Sequence, residues 1–543
     1  MGRRRRAGGT WRGSRRRAAR ARAALYAAVL AALAALVLIP ASCGPQQPDD
    51  PRDLAGQQTG ERDAANEPEN TGESSQRATP EPQGLLVPIA HLTSPRQNVT
   101  VEELSRVGKL AAPEDLGGEV DEMLGRSAEE LRGFGSVAAV IDHVSRTPDA
   151  VGLVPWDAVS PRVKALAVNG EALLGPGAVD PESYPLKVGD AVGPDREGLR
   201  RIVVGGDIVL DRGQSYMAID QGMGLDFALA GGYAAITSRT AEESQYSESG
   251  IIHQFTAERQ TAGGEVREYL RSADLALANF ENPVIRDAVY HPDATTFTGD
   301  LQLLPIVTNA GIDGVTLGNN HILDAGAEGL QETLGHLEDA GIRHAGAGMD
   351  LASAREPMLF DLGGVRVGVL SYQGVPSYDW AWATQEAPGT APMEAEVIAE
   401  DIKRLRPEVD LLVVMPHWGN EYLATPEPDQ VELAHRMMEA GADLIVGDHA
   451  HWPKGIEMYE GKPIFYGTGN FLFDQSWSEE TSTGIFVEAT LYEDRVVQAR
   501  PVPFILLDYA QPNFLVPEAG GNRALKRIFS ASLGPEFEAY KAG

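Results

Sequence analysis

Short apolar runs, each closed by a polar residue, recur through the second half of the chain. Ile202-Val203-Val204-Gly205-Gly206 ends on Asp207, and Leu275-Ala276-Leu277-Ala278 ends on Asn279-Phe280-Glu281. Gly314-Val315-Thr316-Leu317-Gly318 ends on Asn319-Asn320-His321, and Leu411 to Pro416 ends on His417-Trp418-Gly419. Leu444-Ile445-Val446-Gly447-Asp448 ends on His449-Ala450-His451. Between these runs the apolar spacing changes to that of helices. Leu330, Leu334 and Leu337 share one face with Gly341 as the stop, and Ile398, Ile402 and Leu405 form a second stripe. Val431, Ala434 and Met438 form a third, opened by Thr425-Pro426-Glu427 and closed by Gly441. Alternating strands and helices predict an α/β domain from Arg200. After Gly455 the pattern predicts hairpins: Ile456 to Tyr459, Pro463 to Tyr466, Gly484 to Tyr492 and Val496 to Phe504. Residues 509–543 read as a short tail with one helix.

Upstream, Leu85 to Leu92 and Ala150 to Trp156 read as strands and Val101 to Leu110 as a helix, giving a separate unit over residues 85–195. Residues 43–84 are Gln, Pro, Asp, Glu, Gly, Ser and Asn with almost no large apolar side chains. Such a stretch cannot bury a core and reads as a tether. With 543 residues, two or three folded units are expected.

The formal net charge of −32 hides an asymmetry. Residues 1–42 hold ten Arg and no acid, so the other 36 basic residues face all 78 Asp and Glu. A surface of that sign repels phosphate backbones and excludes nucleic acid as a partner. The Arg-rich start leads into an apolar stretch from Ala23 to Ile39, then Pro40-Ala41-Ser42-Cys43. That order is the layout of a secretory signal. Cys43 is the only cysteine, so an internal disulfide is excluded, and its place after small residues resembles the lipidation site of bacterial lipoproteins. The expectation is a signal peptide over 1–42 and a protein held by lipid on the outer face of the membrane. An uncleaved N-terminal helix is the alternative anchor.

The five strand endings carry the chemistry. In α/β sheets ligands gather at the carboxyl ends of strands, so the five can converge on one site. In extended chain, residues two apart share a face, which would aim His449 with His451 and Asn279 with Glu281. Taken singly, an Asp after a strand is usually a turn residue and a lone His a structural one. Together, carboxylates, amide oxygens and imidazoles without thiolate suit divalent Mn, Zn or Fe rather than a structural zinc. Two divalent ions held in this way activate water and polarise a substrate oxygen.

Read in order, these motifs, with Asp324, Asn420-Glu421-Tyr422 and Gly469-Asn470-Phe471-Leu472-Phe473-Asp474, resemble the poly-γ-glutamate capsule-synthesis (CapA-type) branch of the calcineurin-like metallophosphoesterases. The resemblance spans residues 200–508. It implies a four-layer αββα sandwich with two metals at the sheet edge. It assigns Asp207, Glu281, Asn320, His417, His449 and His451 as metal ligands, Glu281 as the bridge, and His321 as general acid or as the group that stabilises charge on the leaving group. Asn279, Asn319 and Asn470 would orient ligands or substrate. Val209 stands where the superfamily's first motif carries a histidine, which implies an incomplete site there. Residues 85–195 resemble one lobe of a phosphate-type periplasmic binding protein, on His91-Leu92-Thr93, Asn98-Val99-Thr100, Thr147 to Gly152 and Asp157-Ala158-Val159. They lack a Ser/Thr-Gly-rich anion loop, so a substrate-binding-protein-like spacer lobe is expected. His91, His143, His253, His291, His336, His344 and His435 have no motif partner and read as structural.

Two functions follow from the resemblance. One is a metal-dependent hydrolase of a phosphoester or of an envelope-polymer amide. The other is a non-catalytic accessory for synthesis, export or anchoring of poly-γ-glutamate. Expected partners are that polymer and membrane-bound capsule-synthesis proteins.

Overall fold

The computed structural model describes residues 84–126, 131–175, 177–188, 192–261, 263–289, 295–375, 381–509 and 511–541. Cys43, the signal segment, the tether and His291 lie outside the described residues. Among the described residues, no helix is long and apolar enough to cross a membrane.

Alternation along the apolar runs builds four layers. Ile202 and Val204, with Leu275 and Leu277, meet Val367, Val369, Leu411, Val413 and Met415 in a core between two sheets. Their neighbours Val203, Ala276 and Ala278 turn the other way, onto Val266, Leu270, Ile306, Leu330 and Leu337 of covering helices. On the far side, Leu412, Val414 and Ile445 pack against Ile398, Ile402, Leu405, Ala434 and Met438. Runs with no polar alternation are therefore strands buried on both faces. The expected αββα sandwich is what these residues form.

The larger sheet runs Ile251–Arg259, Tyr233–Glu243, Gln511–Leu515, Arg495–Leu507, Thr483–Tyr492, Leu199–Ile208, Leu275–Phe280, Gly314–Thr316 and Arg343–Ala345, with Asn470–Leu472 also on Leu199–Ile208. The facing sheet runs Met358–Asp361, Arg366–Gln373, Leu411–His417, Leu444–Val446, Lys462–Phe465 and Ile456–Tyr459. Gly326–Asp339 and Pro428–Ala440 are the helices expected from their stripes. Gly341 takes φ 73° just past the first, and Gln430 closes a capping box on Glu427 at the start of the second.

Two features differ from the expectation. Tyr233–Glu243 and Ile251–Arg259 form a long antiparallel ribbon with many exposed polar side chains, so no apolar run announces it. Residues 509–541 are not a tail. Gln511–Leu515 is an interior strand of the larger sheet, pairing antiparallel with Arg495–Leu507 and parallel with Tyr233–Glu243. The helix Gly521–Ala531 then sends Ile528 and Phe529 into the core between the sheets.

The first lobe has its own sheet, in the order Leu131–Phe134, Leu110–Pro113, Val151–Pro155, Gly84–His91 and Val163–Ala165, and its own apolar core. It meets the sandwich through apolar and polar contacts: Leu92 belongs to the core between the two sheets, and the Trp156 ring stands edge-on to Tyr492 at 4.9 Å. Arg162 Nε pairs with Glu536 Oε1 at 3.0 Å, and the amide of Ala165 donates to Gln498 Oε1 at 3.0 Å. A fragment of residues 196–508 is therefore expected to be insoluble, because it exposes the edge of Arg495–Leu507 and lacks Ile528, Phe529 and Phe537. A fragment of residues 196–541 is expected to fold. Soluble yield and thermal unfolding of the two check this, and equal behaviour would refute the part given to the last strand.

Candidate metal centre

The centre forms where the carboxyl ends of strands from the two sheets face each other. Its first residue is placed by a register shift. Leu277 pairs with Val204, but the next pairing is Asn279 with Asp207, so the strand Leu199–Ile208 carries one extra residue at Gly205-Gly206. A bulge of this kind re-aims the side chain that follows it. Gly206 is required there, since a Cβ would lie 1.8 Å from the carbonyl oxygen of Gly469. Asn279 Nδ2 donates to Asp207 Oδ1 at 2.8 Å and lies 3.5 Å from Glu281 Oε2, so Asn279 and Glu281 do face the same site.

His449 and His451 are aimed differently from the extended-chain expectation. Both take positive φ, 89° and 54°, and they diverge. His449 Nδ1 lies 3.1 Å from His417 Nε2, whereas His451 Nδ1 lies 3.1 Å from Asp207 Oδ2 and 3.0 Å from Asn470 Oδ1. A left-handed backbone at non-glycine residues costs on the order of 1–3 kcal/mol each and persists only where the surroundings impose it. Its effect here is to split the two imidazoles between two groups. Glu281, His417 and His449 form one group and Asp207, Glu281 and His451 the other, with ligand atoms within 4.8 Å of one another in each. Glu281 belongs to both.

The electrostatics fit a cation. All five residues are buried, none more than 3% exposed. Burial, then the neighbouring Asp207 carboxylate, pushes the Glu281 carboxyl well above its usual range. Asp448, which sequence reasoning passed over as the end of an apolar run, is raised by the same two causes. Burial also disfavours charge on Asp207. Hydrogen bonding and charge from His451, with help from His417 and Asn279, outweigh it and hold that carboxyl low. Burial keeps His417 neutral, lowered to about 3, and drives His449 down as well. His417 and His449 are thus neutral, as metal binding needs. Burial also disfavours charge on His451, but the hydrogen bond and charge of Asp207 outweigh it and raise that imidazole. Glu281 and Asp448 need a cation beside them to be held as carboxylates. Glu281 Oε1 is buried with no hydrogen-bond partner among the described residues, an oxygen that a divalent ion would satisfy. The residues present fit divalent metal.

The remaining expected residues surround these groups. Asn320 Oδ1 lies 2.7 Å from His417 Nε2. Asn319 spans Asn279 Oδ1 at 3.1 Å and the carbonyl of Phe280 at 2.8 Å, while its own oxygen accepts from the amides of His321 and Ile322. Asn470 Nδ2 donates to Thr481 O at 2.9 Å, which fixes the oxygen facing His451. His321 is 16% exposed, its Nδ1 lies 2.8 Å from Asp324 Oδ2, and its ring stands 4.4 Å from Phe297. Asp324 also accepts from the amide of Phe297 at 2.7 Å, so its position is fixed from two sides. Of the unassigned histidines, His253 pairs with Glu480, His435 with Glu457, and His91 with Thr93, and none of the three belongs to either ligand group.

Against this geometry, residues 201–475 match the family described as "Bacterial capsule synthesis protein PGA_cap". The chain belongs to the bacterial capsule synthesis protein family. The capsule biosynthesis protein CapA of Bacillus anthracis is 33% identical over 228 residues, covering 40% of this chain and 55% of the relative. The PGA biosynthesis protein CapA of Bacillus subtilis is 32% identical over 223 residues, covering 40% and 58%. The chain thus spans little more than half the length of these relatives. Among solved structures, the NAD nucleotidase of Haemophilus influenzae aligns with a TM-score of 0.33 at 11% identity, covering 63% of this chain and 59% of that one.

Within this family member, Val209 is no vacancy for a ligand. It is buried against Phe297 and Phe473, whose rings also flank His321 and His451. Val209→His would place a polar ring in that apolar cluster. It is expected to lower stability by about 1–3 kcal/mol without adding metal, as thermal unfolding and metal analysis would show.

Proposed function

We propose that this chain is a cell-surface component of poly-γ-glutamate capsule biosynthesis whose His–carboxylate centre is a two-metal hydrolase site for a phosphoester or an envelope-polymer amide. The observation that carries the reading is Glu281, shared by both ligand groups, one of whose buried oxygens accepts no hydrogen bond among the described residues and lies 3.5 Å from His417 Nε2. Bound there, divalent ions supply Lewis acidity and acidify water. The chain's own residues do the rest. Asp207 and His451 with Glu281 make one cradle, and His417 and His449 with Glu281 the other, Asn320 adding an amide oxygen beside His417. Asn279, Asn319 and Asn470 hold these side chains in place. Asp324 accepts a hydrogen bond from His321 Nδ1–H, so the imidazolium form gives its Nε2 proton to a leaving group at the open edge of the centre and is left as neutral imidazole. Metal analysis of the purified protein, then a hydrolysis screen over phosphoesters and γ-glutamyl polymers, tests the reading.

A second reading, a non-catalytic accessory, draws support from relatives named for biosynthesis rather than for hydrolysis. It predicts metal without turnover on any of these substrates.

The location is part of the proposal and rests on the Arg-rich start, the apolar stretch and Cys43. Cys43→Ser is expected to release the protein from membranes or to block its maturation, read by cell fractionation. Unchanged membrane retention would make the apolar segment itself the anchor.

A further inference from the structure

Beside the metal centre lies a groove of about 530 Å³. One wall is the helix Gly521–Ala531, which presents Arg523, Lys526 and Arg527; the other is the tip of the long ribbon, and Trp452 contributes to the lining. The groove gathers hydrogen-bond donors that have no acceptors. Trp452 Nε1 and Arg527 Nη2 are buried without a partner among the described residues. Lys526 is exposed on the helix and makes no ion pair among them.

The nearby carboxylates are already engaged. Glu248 accepts from the amide and hydroxyl of Thr425 at 3.3 and 3.0 Å. Glu480 accepts from the amide and ring of His253 at 3.1 and 2.7 Å and faces Arg527 at 3.5 Å. Glu479 holds Arg239 at 2.5 Å and Arg523 at 3.7 Å. The lining carries three cationic side chains, Arg523, Lys526 and Arg527, against two carboxylates, Glu248 and Glu480. This net positive, donor-rich face selects an anionic, acceptor-bearing ligand.

The groove also leads to the centre. Trp452 follows His451 directly, and the Tyr422 ring stands 6.1 Å from the ring of His451 and 6.5 Å from that of Trp452. An extended chain lying along Arg523 and Lys526 would pass over this aromatic floor toward the metal ligands.

We propose that the groove is a subsite for the carboxylate groups of poly-γ-glutamate, holding a stretch of the polymer next to the metal centre. The proposal rests on the polymer reading above. It also answers a physical difficulty of that reading, because a chain of net charge −32 repels a polyanion unless a local cationic face meets it.

The test uses the full-length protein in detergent and fluorescent poly-γ-glutamate at low salt. Arg523→Glu with Lys526→Glu is expected to weaken binding about tenfold or more. Added salt should weaken the wild type and leave the variant little changed. Divalent metal content should be the same in both proteins, which confirms that the variant folds. Equal affinity of variant and wild type, with metal retained, overturns the groove and leaves the polymer reading standing. No binding by the wild type at any salt overturns both.

Discussion

His449→Ala combined with His451→Ala is expected to lower divalent-metal affinity by about 100-fold or more, with hydrolysis falling in step. Loss of an outer-shell partner alone typically costs about 10- to 100-fold, so loss of two ligands sets that as a floor. The two histidines serve different groups, one beside His417 and one beside Asp207, so the double variant opens both sites at once. It also strips Asp207 of a hydrogen-bond partner at 3.1 Å and leaves a buried carboxylate under-compensated. Glu281→Ala should give a similar loss, because that carboxylate is common to both groups. Metal per chain after dialysis, measured beside activity, is the readout. Full metal content in the double variant would remove the centre from its proposed place.

His321→Ala separates chemistry from metal holding. Its ring belongs to neither ligand group and is held by Asp324 and Phe297, so metal content should change little. Activity is expected to fall by roughly 10²- to 10⁴-fold, the usual contribution of a positioned acid–base group. Asp324→Asn should lose part of the same factor, since the amide oxygen can still accept from Nδ1–H but brings no negative charge to face the imidazolium. The accessory reading predicts another pattern. There the ligand variants lose thermal stability and polymer export together, and His321→Ala is silent in both. Undiminished turnover in His321→Ala would exclude it as the acid.

The sandwich was legible because strands buried on both faces leave unbroken apolar runs, and every such run from Ile202 to Val446 became a strand. The site was legible in the same places, because each run stops at the metal centre. What could not be read were features set by close approach rather than by pattern. The divergence of His449 and His451 depends on positive φ at non-glycine residues, which tertiary packing imposes. The bulge at Gly205-Gly206 is visible only once the partner strand is known. Val209 read as a missing ligand until Phe297 and Phe473, distant in sequence, were found around it. Asp448 was hidden because one carboxylate at the end of an apolar run looks like a turn residue. Gln511–Leu515 carries a proline and two amides in five residues, too polar a pattern to announce an interior strand.

That strand sets the order in which the protein can be completed. Tyr233 reaches the sheet only by pairing with Phe514, so the ribbon must wait for nearly all of the intervening chain. Contacts this distant in sequence are slow to form, because a long loop must close before they are rewarded. Until then Arg495–Leu507 offers an unpaired edge, the kind of surface on which strands of separate molecules join. If the chain is exported before it folds, as proposed above, the hazardous interval is the last one. A chaperone acting there would find its target in the waiting edge, and a stop codon after residue 508 would leave that edge open permanently.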